Sequence, residues 1–151
     1  MKKNAFIILL CFVALSTSAQ YVDLGLPSGT KWKTTNESGF YSYEQTESKF
    51  ESYLPSKKQW EELIDYCEWT WTGRGYKLIG PNGRSIFLPA EGFSYYEQGK
   101  TIASGEYGFY YSSTRGYDKY IWVLSFEKTG TPVMDTTDDI DYKAFSTRLV
   151  Q

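Results

Sequence analysis

The sequence predicts an α+β fold in which two helices pack on antiparallel sheets with long loops, and a strand near each end of the domain pairs with the other. Three observations carry this. Ser42-Tyr43-Glu44-Gln45 and Ser56-Lys57-Lys58-Gln59 both have the spacing of a helix-starting capping box. Beyond Gly75 the apolar residues change from helical spacing to short runs rich in Tyr, Phe, Ile and Val, as strands require. Gly80-Pro81-Asn82-Gly83 sits between two such runs and reads as a tight turn, because proline presets the first turn dihedral and Asn and Gly tolerate positive φ.

The elements follow in order. Lys2 and Lys3, the apolar run 5–15 and the small residues Thr17 and Ala19 make residues 1–19 a secretory signal peptide, cut before Gln20. The apolar run is too short to span a bilayer. A lipoprotein anchor at Cys11 is the rival reading, and bulky Leu10 before the cysteine argues against it. The mature chain 20–151 suits one domain with one core. Tyr21-Val22-Asp23-Leu24 alternates as a short strand, Leu26-Pro27-Ser28-Gly29 is a turn, and Lys31-Trp32-Lys33 follows. Ser42 caps a short helix near 43–53, with Tyr43, Phe50 and Leu54 close to one face. Ser56 caps the second helix, whose Trp60, Leu63, Ile64 and Cys67 recur at i, i+3, i+4, i+7 and form a buried stripe, while Glu61, Glu62 and Asp65 face water. Residues 76–79 and 85–88 form a hairpin, 109–113 and 120–126 are further strands, and 144–150 is the last. Loops are expected over 92–107, 114–119 and 127–142.

Loss of Lys2 and Lys3 takes 16 basic residues to 14 against 18 acidic ones, so net charge moves from −2 to −4. Nucleic acid is excluded as a partner, since its binding needs a basic face. No second apolar span occurs, so no membrane insertion is expected after leader cleavage. Without Cys11, Cys67 is the one cysteine left, and an intramolecular disulfide is impossible. A buried, inert thiol is the expectation, and an intermolecular bridge or a reactive thiol the alternative.

Several segments together resemble a known family. Residues 21–32 (YVDLGLPSGTKW) resemble the opening motif of Fibrobacter succinogenes major paralogous domain proteins, common among secreted Bacteroidetes proteins. Leu54-Pro55-Ser56 through Trp60-Glu61-Glu62-Leu63 resembles their helix motif, and residues 82–92 (NGRSIFLPAEG) their central strand. Residues 108–114 and 146–150 resemble the later strands. The resemblance implies a C-type-lectin-like fold, with paired terminal strands and a small second sheet carrying ligand-binding loops. The chain departs from the pattern where Thr34-Thr35-Asn36 replaces a frequent cysteine before Asn, where a long insert is replaced by 41–53, and at Glu91 and Tyr111, where a small residue and Trp are usual. A ligand carried by the missing insert is not expected here.

The chain has no histidine, which removes His-dependent nucleophilic systems and the commonest transition-metal ligand. One cysteine makes no zinc site, and Gly73-Arg74-Gly75 is no phosphate fingerprint. Glu91, beside an aromatic loop, is the one carboxylate placed to suggest acid/base work. The acid run 135–141 lacks EF-hand spacing and reads as a solvated loop, with a calcium site as the alternative. Neither cofactor nor metal is expected. Aromatic residues make up 19% of the chain, and fourteen are tyrosines, whose flat face and phenol suit binding loops at small entropic cost. Tyr95, Tyr96, Tyr117 and Tyr142, with Arg115 and Asp118, fall in the predicted loops and are the candidate ligand residues; covering a small sheet is the plainer role for any one tyrosine. The expectation is a secreted protein (periplasmic, cell-surface or extracellular) that binds a glycan or an extracellular protein without catalysis. The alternative is a structural or assembly subunit of a surface complex or appendage.

Overall fold

The two capping boxes start the two helices. In the computed structural model, which describes residues 20–95, 99–138 and 141–151, α1 spans Tyr43–Phe50 and α2 spans Lys57–Tyr66. The leader expected over 1–19 lies outside the described residues, as does Tyr96. Ser56 Oγ accepts from the Gln59 amide at 3.2 Å, and Gln59 Oε1 accepts from the Ser56 amide at 2.8 Å. Ser42 and Gln45 repeat the exchange at 3.2 and 3.1 Å. Each box satisfies amide donors that a helix start leaves open. A 3₁₀ turn, Glu51–Tyr53, completes the first helical segment.

On α2, Trp60 and Leu63 are fully buried, and Ile64 and Cys67 pack half-buried against the same core. Helical geometry stops one residue before Cys67, which has extended backbone. Glu62 does not simply face water. It accepts from the Ser28 amide at 2.8 Å and from Ser28 Oγ at 2.6 Å, tying the turn at 26–29 to the helix.

Strands β1 (Tyr21–Asp23) and β2 (Lys31–Lys33) form an antiparallel pair. The expected direct pairing of the terminal strands is corrected here, because β2 lies between them. The Lys31 amide donates to the Gln151 carbonyl at 3.0 Å and the Lys33 amide to the Leu149 carbonyl at 2.9 Å, while the Thr34 amide donates to the Gln20 carbonyl on the other side at 2.9 Å. Beyond α2, β3 (Glu68–Trp71), β4 (Gly75–Ile79) and β5 (Ser85–Pro89) form a meander, with the hairpin turn where the sequence places it.

The loops are less open than their composition suggests. Residues 92–107 contain β6 (Phe93–Tyr95) and β7 (Thr101–Ile102), which pair with each other. The next strand, β8 (Tyr107–Arg115), runs into the segment expected to be loop. It pairs with β9 (Ile121–Glu127), which in turn pairs with β10 (Val133–Thr137). The acid run therefore begins inside an edge strand rather than in a solvated loop. The last ladder, β11 (Lys143–Ala144), pairs with β6. Residues 145–150 do not form one continuous strand but make single bridges to Tyr41, Tyr110 and Trp32 in turn. Gly92 enables the turn into β6: its φ is +70°, and a Cβ there would collide with the Ile102 carbonyl.

Two apolar clusters hold these layers together. Trp32, Trp60, Leu78, Leu88, Tyr110 and Leu124 anchor the larger. Tyr111, Ile121, Val123 and Phe145 anchor the second, on the other face of β9. Alternation along β9 sends Val123 to one and Leu124 to the other.

Candidate functional site

The turn joining β8 to β9 is tight. The Gly116 amide donates to the Tyr120 carbonyl at 2.8 Å, the Tyr120 amide to the Tyr117 carbonyl at 3.1 Å, and Asp118 takes a φ of +56°. Asp accepts this left-handed conformation more readily than most residues. The turn lifts Tyr117 into solvent, where it is 91% exposed. Beneath it, Tyr120 is 38% exposed and Trp122 half-buried, and Thr136 lies opposite Trp122 across the β9–β10 ladder. Gly116, Tyr117, Tyr120, Trp122 and Thr136 line an open groove of about 440 Å³.

The groove is braced from behind. Lys57 Nζ stands 4.2 Å from the centre of the Trp122 ring and pairs with Glu61 at 2.7 Å. Its backbone amide donates to Thr114 Oγ1 at 2.9 Å, joining the start of α2 to β8. The cation fixes the indole through its negative π face. A ring held in one orientation loses little rotamer freedom when a ligand stacks on it.

The six predicted ligand residues divide between separate elements. Tyr117 lines the groove, and Asp118 shares its turn. Arg115 ends β8, but its guanidinium donates to Glu47 at 2.6 Å and lies 5.3 Å from the centre of the Tyr43 ring, so it clamps β8 to α1. Tyr95 belongs to β6, 36% exposed, with its ring edge-to-face against Phe93. Tyr142 is 69% exposed immediately before β11. Tyr96 lies outside the described residues. Trp122, Tyr120 and Lys57 were not among the predicted set. Trp122 shares its strand face with Leu124 and Phe126 and reads as core by alternation; the spacing of Tyr117, Tyr120 and Trp122 is the signal that would have grouped them.

Glu91 is built into a buried network. Arg148, 1% exposed, donates from Nε to Asn36 Oδ1 at 2.8 Å, from Nη1 to the Lys33 carbonyl at 2.8 Å and from Nη2 to the Phe87 carbonyl at 2.7 Å. Asn36 Nδ2 donates to Glu91 Oε2 and to the Tyr110 hydroxyl, both at 2.9 Å, and Ser146 Oγ donates to the same Glu91 oxygen at 2.9 Å. Burial pushes the Tyr110 phenol up, and its hydroxyl donates to the Pro89 carbonyl at 2.7 Å. Of the acid run, Asp135 is exposed on β10 and Asp138 pairs with Lys119 at 3.6 Å. Among the described residues no three His, Cys, Asp or Glu side chains converge on a point, and no helix is long and apolar enough to cross a membrane.

Cys67 sits half-buried behind α2. Burial, then the neighbouring Glu62 charge, push its thiol up to about 11. The reactive thiolate is thus scarce at neutral pH. Its alkylation by iodoacetamide is expected to keep rising roughly tenfold per pH unit through pH 9–10, where an unperturbed thiol of pKa about 8.5 levels off. A rate that plateaus near pH 9 would show an ordinary, accessible thiol.

Comparison of the chain with protein-family profiles, with curated proteins and with solved structures found no match.

Proposed function

We propose that this chain is a secreted, non-catalytic glycan-binding module of C-type-lectin-like architecture, related to the Fibrobacter succinogenes major paralogous domain family. Support for the architecture comes from the order of elements, with two helices between an N-terminal strand pair and later antiparallel sheets, and from the C-terminal residues returning to β2. The leader-like residues 1–19 support secretion. The single observation that carries the binding reading is the aromatic groove of Tyr117, Tyr120 and Trp122. Sugar rings have one face of C–H bonds, which stack on such rings, and hydroxyls around the edge, which meet phenols and the Thr136 hydroxyl. Binding by this means needs no metal.

A glycan array probed with and without EDTA tests the reading. Binding is expected to survive EDTA and to fall at least tenfold, about 1.4 kcal/mol, for Trp122→Ala, with a further loss on adding Tyr117→Ala, while a cooperative melting transition well above the assay temperature shows that each variant remains folded. Binding that EDTA abolishes, or that the double variant retains, would remove the groove from the site. Purification as a stable complex with another surface protein, with no glycan bound, would instead favour the assembly role.

A further inference from the structure

We infer that a second cleft, between residues 34–39 and strand β5, is a separate binding site for a neutral sugar unit. The cleft measures about 390 Å³, within the range of small-molecule sites. Thr34, Asn36, Ser38, Phe87 and Glu91 line it, and Arg148 underlies it.

Its floor is rigid and incompletely used. Both Asn36 amide hydrogens are engaged, one by Glu91 Oε2 and one by Tyr110, while Arg148 holds the Asn36 oxygen. Glu91 Oε2 takes two donors, from Asn36 and Ser146, and among the described residues Oε1 takes none. The side chain is only partly buried, so this second oxygen is open to the cleft. A fixed carboxylate oxygen with free lone pairs accepts strongly from hydroxyl donors.

One wall is aromatic. Phe87 is 39% exposed, and its ring tip would lie 2.8 Å from a Cβ at position 75. Gly75 therefore leaves room for the ring to lie across the β4 backbone, where its outer face meets solvent. An apolar ring face beside a fixed acceptor matches a sugar ring, which has a C–H face and edge hydroxyls.

Charge narrows the ligand further. Lys33 pairs with Glu37 at the rim, and the Arg148 cation lies behind Glu91. The site has little net charge to offer an ion. Each nitrogen of Arg148 already donates to an inward acceptor and the residue is only 1% exposed, so it offers an anion no open guanidinium fork.

The test is a ¹⁵N–¹H chemical-shift titration of the folded domain with the methyl glycosides of glucose, galactose, mannose and N-acetylglucosamine. At least one is expected to shift the amides of Ser38, Gly39 and Glu91 with saturation in the millimolar range. Phe87→Ala is expected to weaken that binding at least tenfold, and Glu91→Gln, which keeps an acceptor for Ser146 and Asn36, at least fivefold. Trp122→Ala in the aromatic groove is expected to leave the cleft shifts unchanged, which separates this site from the first. Melting temperatures of Phe87→Ala and Glu91→Gln verify that the fold persists. No saturating shift at 34–39 across the panel, or full affinity in the folded Phe87→Ala protein, would overturn the inference.

Discussion

Replacing Trp60 by alanine is expected to destabilise the domain by about 3–5 kcal/mol, the range for deleting a large buried aromatic. The indole is fully buried, with its ring centre 4.6 Å from Trp32 and 5.6 Å from Tyr110. It is the point where α2, β2 and β8 meet. The substitution opens a cavity at that junction and deprives the Tyr111 carbonyl of the indole N–H it accepts at 3.1 Å. Small domains have total stabilities of about 5–15 kcal/mol, so the variant is expected to be partly unfolded or close to it at room temperature. Urea unfolding followed by circular dichroism measures the loss. Trp60→Phe fills most of the volume but leaves the carbonyl unpaired, and is expected to fall between wild type and Trp60→Ala. A loss under about 1.5 kcal/mol for the alanine variant would mean that the core closes over the gap.

Arg148→Ala is expected to cost a comparable amount, about 3–5 kcal/mol, by a different mechanism. Here volume is secondary. The guanidinium satisfies three acceptors, two from the end of β2 and the segment after it (the Lys33 carbonyl and Asn36) and one from β5 (the Phe87 carbonyl), both far from it in the chain. Truncation leaves those acceptors buried without donors, at roughly 1–3 kcal/mol each before water enters. It also leaves Glu91 without the cation behind it. Burial lowers the Arg148 pKa, with the Glu91 and Glu37 charges opposing that shift. Arg148→Lys is expected to recover little, because a single ammonium cannot reproduce a planar fork that reaches three directions. Equilibrium unfolding of Arg148→Ala, Arg148→Lys and Arg148→Met gives the comparison. If the lysine variant matched wild type, charge rather than fork geometry would be the source of the stability.

These two residues also show where the sequence can be read and where it cannot. Trp60 stood out because its role is local in pattern: a capping box, then apolar residues at helical spacing. The same holds for Ser42 and for the hairpin around Gly80-Pro81-Asn82-Gly83, where the signals lie within a few residues of the structure they specify. Arg148 did not stand out, because an arginine in a terminal strand is ordinarily a surface residue. Its acceptors lie 112, 115 and 61 positions away in the chain, and no local pattern reports them. Strands β6, β7 and β10 were missed for a related reason. They are only two to five residues long and stand among Gly, Ser, Thr and acidic residues, and cross-strand pairing rather than a long apolar run sets them. The candidate site was legible in part. Tyr117 was found from composition and loop position, but its companions Tyr120 and Trp122 sit where a strand's apolar alternation conceals them. Arg115 was read as a ligand residue from its place in a loop, whereas the partner that holds it, Glu47, lies on α1.

The placement of β2 between the first strand and the C-terminal residues has a mechanical consequence. Residues 20 and 151 flank β2 on opposite sides and at opposite ends: Gln20 bonds to Thr34, and Gln151 to Lys31. Both flanking segments run antiparallel to β2, so they are parallel to each other. With neighbouring strands about 4.8 Å apart, tension applied at residues 20 and 151 acts along the strand axes, at right angles to the hydrogen bonds. The ladder is then loaded in shear, with its bonds strained together rather than opened one after another. A module tethered at one side and pulled from the other would resist force through the same three-residue strand that carries Trp32 into the core.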